Sequence, residues 1–352
     1  MKATHRPKEP VEVKPKKPVL LMNLGTGWSA TTPFLYTLTI DQRYCHPGHI
    51  KENHYLYMIH ERDDLNETTI RDFILRTSAN ESHWLFRKWQ KELYEYNYHF
   101  MDDPNYIKNW YEDISIEKYI EYYLKHWEVV KGDFHAVADF SNHNWSLPYW
   151  GQGKEIINKL KEVFDLKITV QFRDPIRRLY SELGTCFIDD RTPYIERTAT
   201  DEKMQAGKYW LENKMHNRFF RYCLTDMAHK SNNCQYVDLY NKWEWLVGPG
   251  NILPIVMEEF WDPALRKQQC ERLSNFLDAP IQKVHENVYF PDKGADAPHY
   301  KGLIDQWTSD KETISEETIK YAMKKMFPFY NQWKFRFGEL PEAWENLDDY
   351  TN

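Results

Sequence analysis

Between Lys16 and Leu38 the chain reads KKPVLLMNLGTGWSATTPFLYTL, an apolar run, a turn rich in Gly, Ser and Thr, and the start of a helix. Val19 to Asn23 has the length and apolarity of a buried strand, and Gly25 and Gly27 let backbone approach a ligand closely. Thr32 before Pro33 is an N-cap followed by proline at the first helical position. Free N–H groups and the positive end of the helix dipole then converge on the turn, which suits a phosphate. The kinase and ATPase loop G-x-x-x-x-G-K-[ST] does not fit. Counted from Gly25, Ala30 and Thr31 stand where its second Gly and its Lys belong.

A chain of 352 residues is long enough for a substantial core, and one large α/β domain is expected. Its formal net charge of -7 argues against nucleic acid or an acidic membrane as the main partner, yet permits a local basic pocket. Five cysteines, an odd number without C-x-x-C spacing, suit reduced thiols in a cytoplasm. No run approaches the roughly 18 apolar residues of a membrane span, and residues 1–17 lack the apolar core of a signal peptide. A soluble cytoplasmic protein is therefore expected, and the Asn-X-Ser/Thr matches at Asn66, Asn80 and Asn144 read as chance.

Read in order, residues 1–17 form a Lys- and Pro-rich flexible tail, residues 18–340 the folded domain, and residues 341–352 a C-terminal tail. A short aromatic strand is expected near His54 to Ile59, and mostly helix over 68–127. Phe134 to Phe140 and Leu166 to Phe172 read as strands, with a helix over Lys154 to Phe164 between them. Asp174-Pro175 repeats the cap-then-proline signal and opens a helix carrying Arg177, Arg178 and Ser181. Asn251 to Phe260 reads as a further strand, and Leu265 to Leu277 and Ser315 to Phe327 as late helices. Strands alternating with helices imply a central parallel sheet flanked by helices on both faces.

Several ordered segments together resemble the sulfotransferases that use 3′-phosphoadenosine 5′-phosphosulfate (PAPS), whose fold is P-loop-like. GTGWSATT resembles their 5′-phosphosulfate loop, which would make Gly25, Thr26, Gly27, Trp28, Ser29, Ala30, Thr31 and Thr32 cofactor-binding. VQFRDPIRRLYSEL, Val170 to Leu183, resembles the 3′-phosphate motif and assigns that role to Arg173 and Ser181. A guanidinium fork matches a phosphate bidentately, and a serine hydroxyl completes the shell; the bland reading pairs Arg173 with a carboxylate and leaves Ser181 exposed. KENHYL, Lys51 to Leu56, resembles the K-E-x-H-[FY]-[FL] segment of the glycan-modifying members, where the Glu is the base. That residue is Glu52 here, with Lys51 and His54 beside it, although a surface pair of Glu52 with Lys51 is the ordinary alternative.

VADFSNHNWSLP, Val137 to Pro148, resembles the segment that lines the acceptor side, implicating Asp139 and Ser141; Asp139 equally suits a turn cap. Ile252 to Ile281 resembles the family's strand, acidic and F-L-G-x-P segment, where Glu258 or Glu259 ties loops together. Either Lys301-Gly302 or Lys293-Gly294 corresponds to the loop that covers the nucleotide, and the later pair is preferred. Trp28 departs from the pattern, standing where the family has a Lys or Arg that neutralises the oxygen bridging phosphate and sulfate. Lys51, Lys301 and Arg43 are the candidate replacements.

The resemblance implies sulfuryl transfer from PAPS to an acceptor hydroxyl, on a carbohydrate by preference, with adenosine 3′,5′-bisphosphate leaving and no metal required. Neither nucleic acid nor membrane is expected as a partner, and the oligomeric state is open. The aromatic-rich segment 84–127 offers sugar-stacking rings, or equally a core stripe. Three other readings compete: a non-catalytic nucleotide- or glycan-binding protein, motivated by Trp28; a P-loop kinase with Asp139 on its magnesium strand; and a metal site at Cys45, His46, His49, His54 and His60.

Overall fold

The computed structural model describes residues 17–25, 34–35, 37–38, 44–45, 55–60, 114–131, 135–179, 221, 224, 236–281, 284 and 315–345. Among them five strands form one sheet: β1 (Val19–Gly25), β2 (Tyr44–Cys45), β3 (Ala136–Asp139), β4 (Asp165–Phe172) and β5 (Ile252–Val256). The order is β2-β3-β1-β4-β5, and every neighbouring pair is parallel. The described helices are α1 (Tyr55–His60), α2 (Ile116–Val130), α3 (Gly153–Val163), α4 (Tyr236–Val247), α5 (Met257–Trp261), α6 (Arg266–Leu277), α7 (Glu316–Phe337) and α8 (Glu342–Glu345).

Alternation along the strands divides the core in two, as period-2 side chains of a sheet buried on both faces must. Leu20, Met22 and Leu24 join Val137, Ile168, Val170, Phe172 and Val256 on one face, beneath α1 to α4, α7 and α8. Leu21, Ala136, Ala138 and Ile255 face the other way, against Phe34, Leu35 and Leu38 and against Phe260, Leu273 and Leu277 of α5 and α6. The expected α/β sheet with helices on both faces is thus present.

Local signals account for three helix ends. Ser115 caps α2 by accepting from the Lys118 backbone N–H at 3.2 Å, and Ser315 does the same for α7 through Thr318. Helix α7 stops at Gly338, whose φ of 96° favours glycine.

Four expectations are corrected. Residues 55–60 are helical, because Tyr55, Leu56, Met58 and Ile59 are buried at i, i+1, i+3 and i+4 spacing, a helical period. Strand β5 ends at Val256, and Met257 and Phe260 bury one face of the short α5. Helix α7 continues past Phe327 to Phe337 despite Pro328. Pro328 lies on the exposed side, while Met326, Phe329, Tyr330 and Trp333 prolong the buried stripe. The C-terminal segment is not all tail, for Trp344 is buried and packs against Trp333, the rings tilted with their centroids 4.5 Å apart. No described helix is long and apolar enough to cross a membrane.

Candidate functional site

From β1 in the middle of the sheet the chain builds β2 and β3 on one side, then crosses to β4 and β5 on the other. The C-terminal ends of β1 and β4 therefore form a topological switch point, where open parallel sheets bind ligands. Gly25 pairs with Gln171 at that edge. The segment 26–33 leaves β1 there, and Arg173 follows β4 at the neighbouring strand end, half-buried.

Beyond the segment, Phe34, Leu35, Thr37 and Leu38 are helical and buried. Phe34 meets the Phe260 ring edge-on at 5.4 Å. The strand before the segment and the described helical residues after it are thus both packed in the core. Thr26, Gly27, Trp28, Ser29, Ala30, Thr31 and Thr32 themselves lie outside the described residues, as do Lys51, Glu52, His54, Ser181, Lys301 and Gly302. So do Lys293, Gly294, Arg43, His46 and His49.

The face of β1 and β4 that meets Phe34 and Leu38 turns polar as it approaches this edge. Asn23, Thr169 and Gln171 are all buried there. The Thr169 hydroxyl donates to Asn23 Oδ1 at 2.9 Å, whereas Asn23 Nδ2 and Gln171 Oε1 find no hydrogen-bond partner among the described residues. These residues were not singled out from the sequence, although an Asn inside the apolar run VLLMNLG is itself a signal.

Arg173 is followed by the expected cap. Asp174 Oδ1 accepts from the backbone N–H groups of Ile176 and Arg177 at 3.0 and 2.8 Å, and Pro175 to Leu179 are helical. Glu258 does tie elements together: its Oε1 accepts from the Asp174 backbone N–H at 3.1 Å and its Oε2 from the Trp344 indole N–H at 3.0 Å. Burial, then the charge of Asp174, pushes the Glu258 carboxyl above its ordinary range, and the Arg173 charge partly opposes this. Glu259 plays a smaller tie, accepting from Gln269 at 3.0 Å.

Asp139 takes the turn-cap setting that was its alternative, with Ser141 beside it. Both are fully buried. Asp139 Oδ2 accepts from the Tyr119 hydroxyl at 2.7 Å and Asn144 Nδ2 at 3.1 Å, and Oδ1 accepts from the Ser141 backbone N–H at 2.8 Å. Burial and the adjacent Asp139 charge push the Tyr119 hydroxyl well above its ordinary pKa, so it remains a donor. The carboxylate organises the turn into the 3-10 helix Asn142–Tyr149 and presents no surface to an acceptor.

The described part of the aromatic segment is core: Tyr119, Tyr122 and Tyr123 are buried against one another and α1. His60 stacks on Trp150, rings 4.9 Å apart and 7° from parallel. Among the described residues no group of three or more His, Cys, Asp or Glu is arranged to hold a metal ion.

No protein-family model and no curated protein sequence matches this chain. Solved structures similar to it include a sulfotransferase from Alicyclobacillus acidocaldarius, at 13% identity and a TM-score of 0.44, covering 95% of this chain and 100% of that one. The sulfotransferase domain of the Synechococcus PCC 7002 olefin synthase is 14% identical with a TM-score of 0.44, covering 92% and 98%. A sulfotransferase domain from the curacin biosynthetic pathway is 12% identical with a TM-score of 0.41, covering 89% and 98%.

Proposed function

We propose that the chain is a sulfotransferase that moves a sulfuryl group from PAPS to an acceptor hydroxyl, on a carbohydrate. The observation that carries this reading is the pairing of Gly25 with Gln171. The ends of β1, which the GTGWSATT segment follows in sequence, and of β4, which precedes Arg173, are thus adjacent, and this suits a ligand with two separate phosphates.

The donor chemistry available at that edge fits such a ligand. Arg173 brings a bidentate cation, and in this reading the backbone N–H groups of the GTGWSATT segment add to it. Bound PAPS supplies a sulfuryl group already activated by its 5′-phosphate. The chain's part is to hold both phosphates and to take the acceptor's proton.

In this reading the backbone of residues 26–31 holds the 5′-phosphate, Arg173 and Ser181 hold the 3′-phosphate, and Lys301-Gly302 closes over the nucleotide. Glu52 takes the hydroxyl proton, with Lys51 and His54 beside it. Trp28 favours a second reading, a protein that binds the nucleotide or a glycan without turnover, because it is neutral where a cation stabilises the transition state.

Calorimetric titration with adenosine 3′,5′-bisphosphate, against AMP and ATP, tests the reading. Selective binding of the bisphosphate supports it, and absence of selectivity refutes it. Transfer from PAPS to a panel of hydroxyl acceptors then separates an enzyme from a binding protein.

A further inference from the structure

Two carboxyl groups border Arg173, and each receives a hydrogen bond from an aromatic side chain of the C-terminal helices. Tyr330 on α7 donates its hydroxyl to Asp174 Oδ2 at 2.9 Å, and Trp344 on α8 donates its indole N–H to Glu258 Oε2 at 3.0 Å. The remaining oxygens turn onto the backbone that follows β4. Asp174 Oδ1 takes the N–H groups of Ile176 and Arg177, and Glu258 Oε1 takes the N–H of Asp174 itself. Every backbone N–H held in this way lies within four residues of Arg173.

We propose that Trp344 and Tyr330 are positioning residues for recognition of a 3′-phosphate, clamping residues 174–177 so that the Arg173 guanidinium stays at the strand end. The proposal rests on the reading of Arg173 given above.

Its physical motive is the expense of the arrangement. Two acids stand side by side, Asp174 buried and Glu258 half-buried, where an apolar pair would serve packing better. The four protein oxygens they contribute are spent on one short stretch of backbone and on the two aromatic donors. Those donors come from far along the chain, 156 and 86 residues away. The Arg173 charge also acts on Glu258, so the clamp and the guanidinium share one electrostatic environment. A side chain that merely filled the core needs none of this polarity: Trp333, packed against Trp344, makes ring contacts with Phe172 and Phe337 instead.

The test compares the full-length wild type with Trp344→Phe and Tyr330→Phe, each of which keeps an aromatic ring and loses the donor. Binding of adenosine 3′,5′-bisphosphate and of AMP is measured by calorimetry. Each variant is expected to bind the bisphosphate roughly tenfold more weakly while its AMP affinity stays unchanged. An undiminished bisphosphate preference in both variants overturns the clamp and leaves the cofactor reading standing. Equal weakening of both nucleotides also overturns it, since that is a general structural loss. A wild type without any bisphosphate preference overturns the clamp and the cofactor reading together. Should Trp344→Phe fail to fold, Tyr330→Phe decides the matter alone.

Discussion

Thr169 donates its hydroxyl to Oδ1 of Asn23 at 2.9 Å across the β1–β4 pair, and both side chains are fully buried. Thr169→Val keeps the shape and removes the donor, leaving the Asn23 carbonyl oxygen without that bond. A loss of about 1–3 kcal/mol in unfolding free energy is expected from urea denaturation. Adding Asn23→Leu removes the stranded partner as well, so the double variant should lose less than the sum of the singles. Strict additivity would mean that the hydrogen bond contributes nothing.

Gly153 opens α3 against the preceding 3-10 helix. A Cβ placed there would stand 2.0 Å from the Leu147 carbonyl oxygen, a backbone atom that no rotamer change can move. Gly153→Ala must therefore displace one of the two helices, at a cost of about 3 kcal/mol. Thermal melting of the variant should show the loss. An unchanged melting temperature would mean that the junction yields freely.

Burial, and then the Glu244 charge, raises the Tyr240 phenol from 10.0 to about 12, against the opposing charges of Arg336 and Arg272. The folded state then holds this proton more tightly than the unfolded chain does. The corresponding stability is present below pH 10.0 and is lost as pH rises through about 12. Tyr240→Phe should flatten the decline of unfolding free energy over that window. A variant that falls as steeply as wild type would assign alkaline sensitivity to other groups.

The strands and the caps were legible because their signals are local. VLLMNLG, buried on both faces, reads as an apolar run broken only by Asn23, DLKITVQF alternates apolar with polar residues at strand period, and Asp174-Pro175 announces its helix within four residues. The misreadings share a cause, which is that short segments take their structure from partners. Six residues, Tyr55–His60, are too few for periodicity to separate helix from strand, and β2 has only two. The hydrogen-bond network of Asp139 was not legible because its donors Tyr119 and Asn144 are brought to it only by the folded chain. Trp344 looked like tail because its acceptor, Glu258, is 86 residues away.

Arg173 is the described residue on which cofactor recognition should depend most. Arg173→Ala removes a charge-assisted hydrogen-bond donor worth about 1.5–3 kcal/mol. Affinity for adenosine 3′,5′-bisphosphate should fall by roughly ten- to 150-fold, and affinity for AMP should barely change. If the two affinities move together, the 3′-phosphate belongs elsewhere. Ser181 would be the next residue to replace.

Glu52 is assigned the acceptor's proton, and Glu52→Gln tests that separately from nucleotide binding. The amide is nearly isosteric and accepts a hydrogen bond but not a proton, so bisphosphate affinity should be retained. Transfer of labelled sulfate from PAPS should drop by about a hundredfold to ten-thousandfold. Retained transfer would pass the role to His54, two residues along. Comparing Glu52→Gln with His54→Asn in one assay therefore decides which side chain is the base: the variant that loses transfer while keeping the nucleotide identifies it.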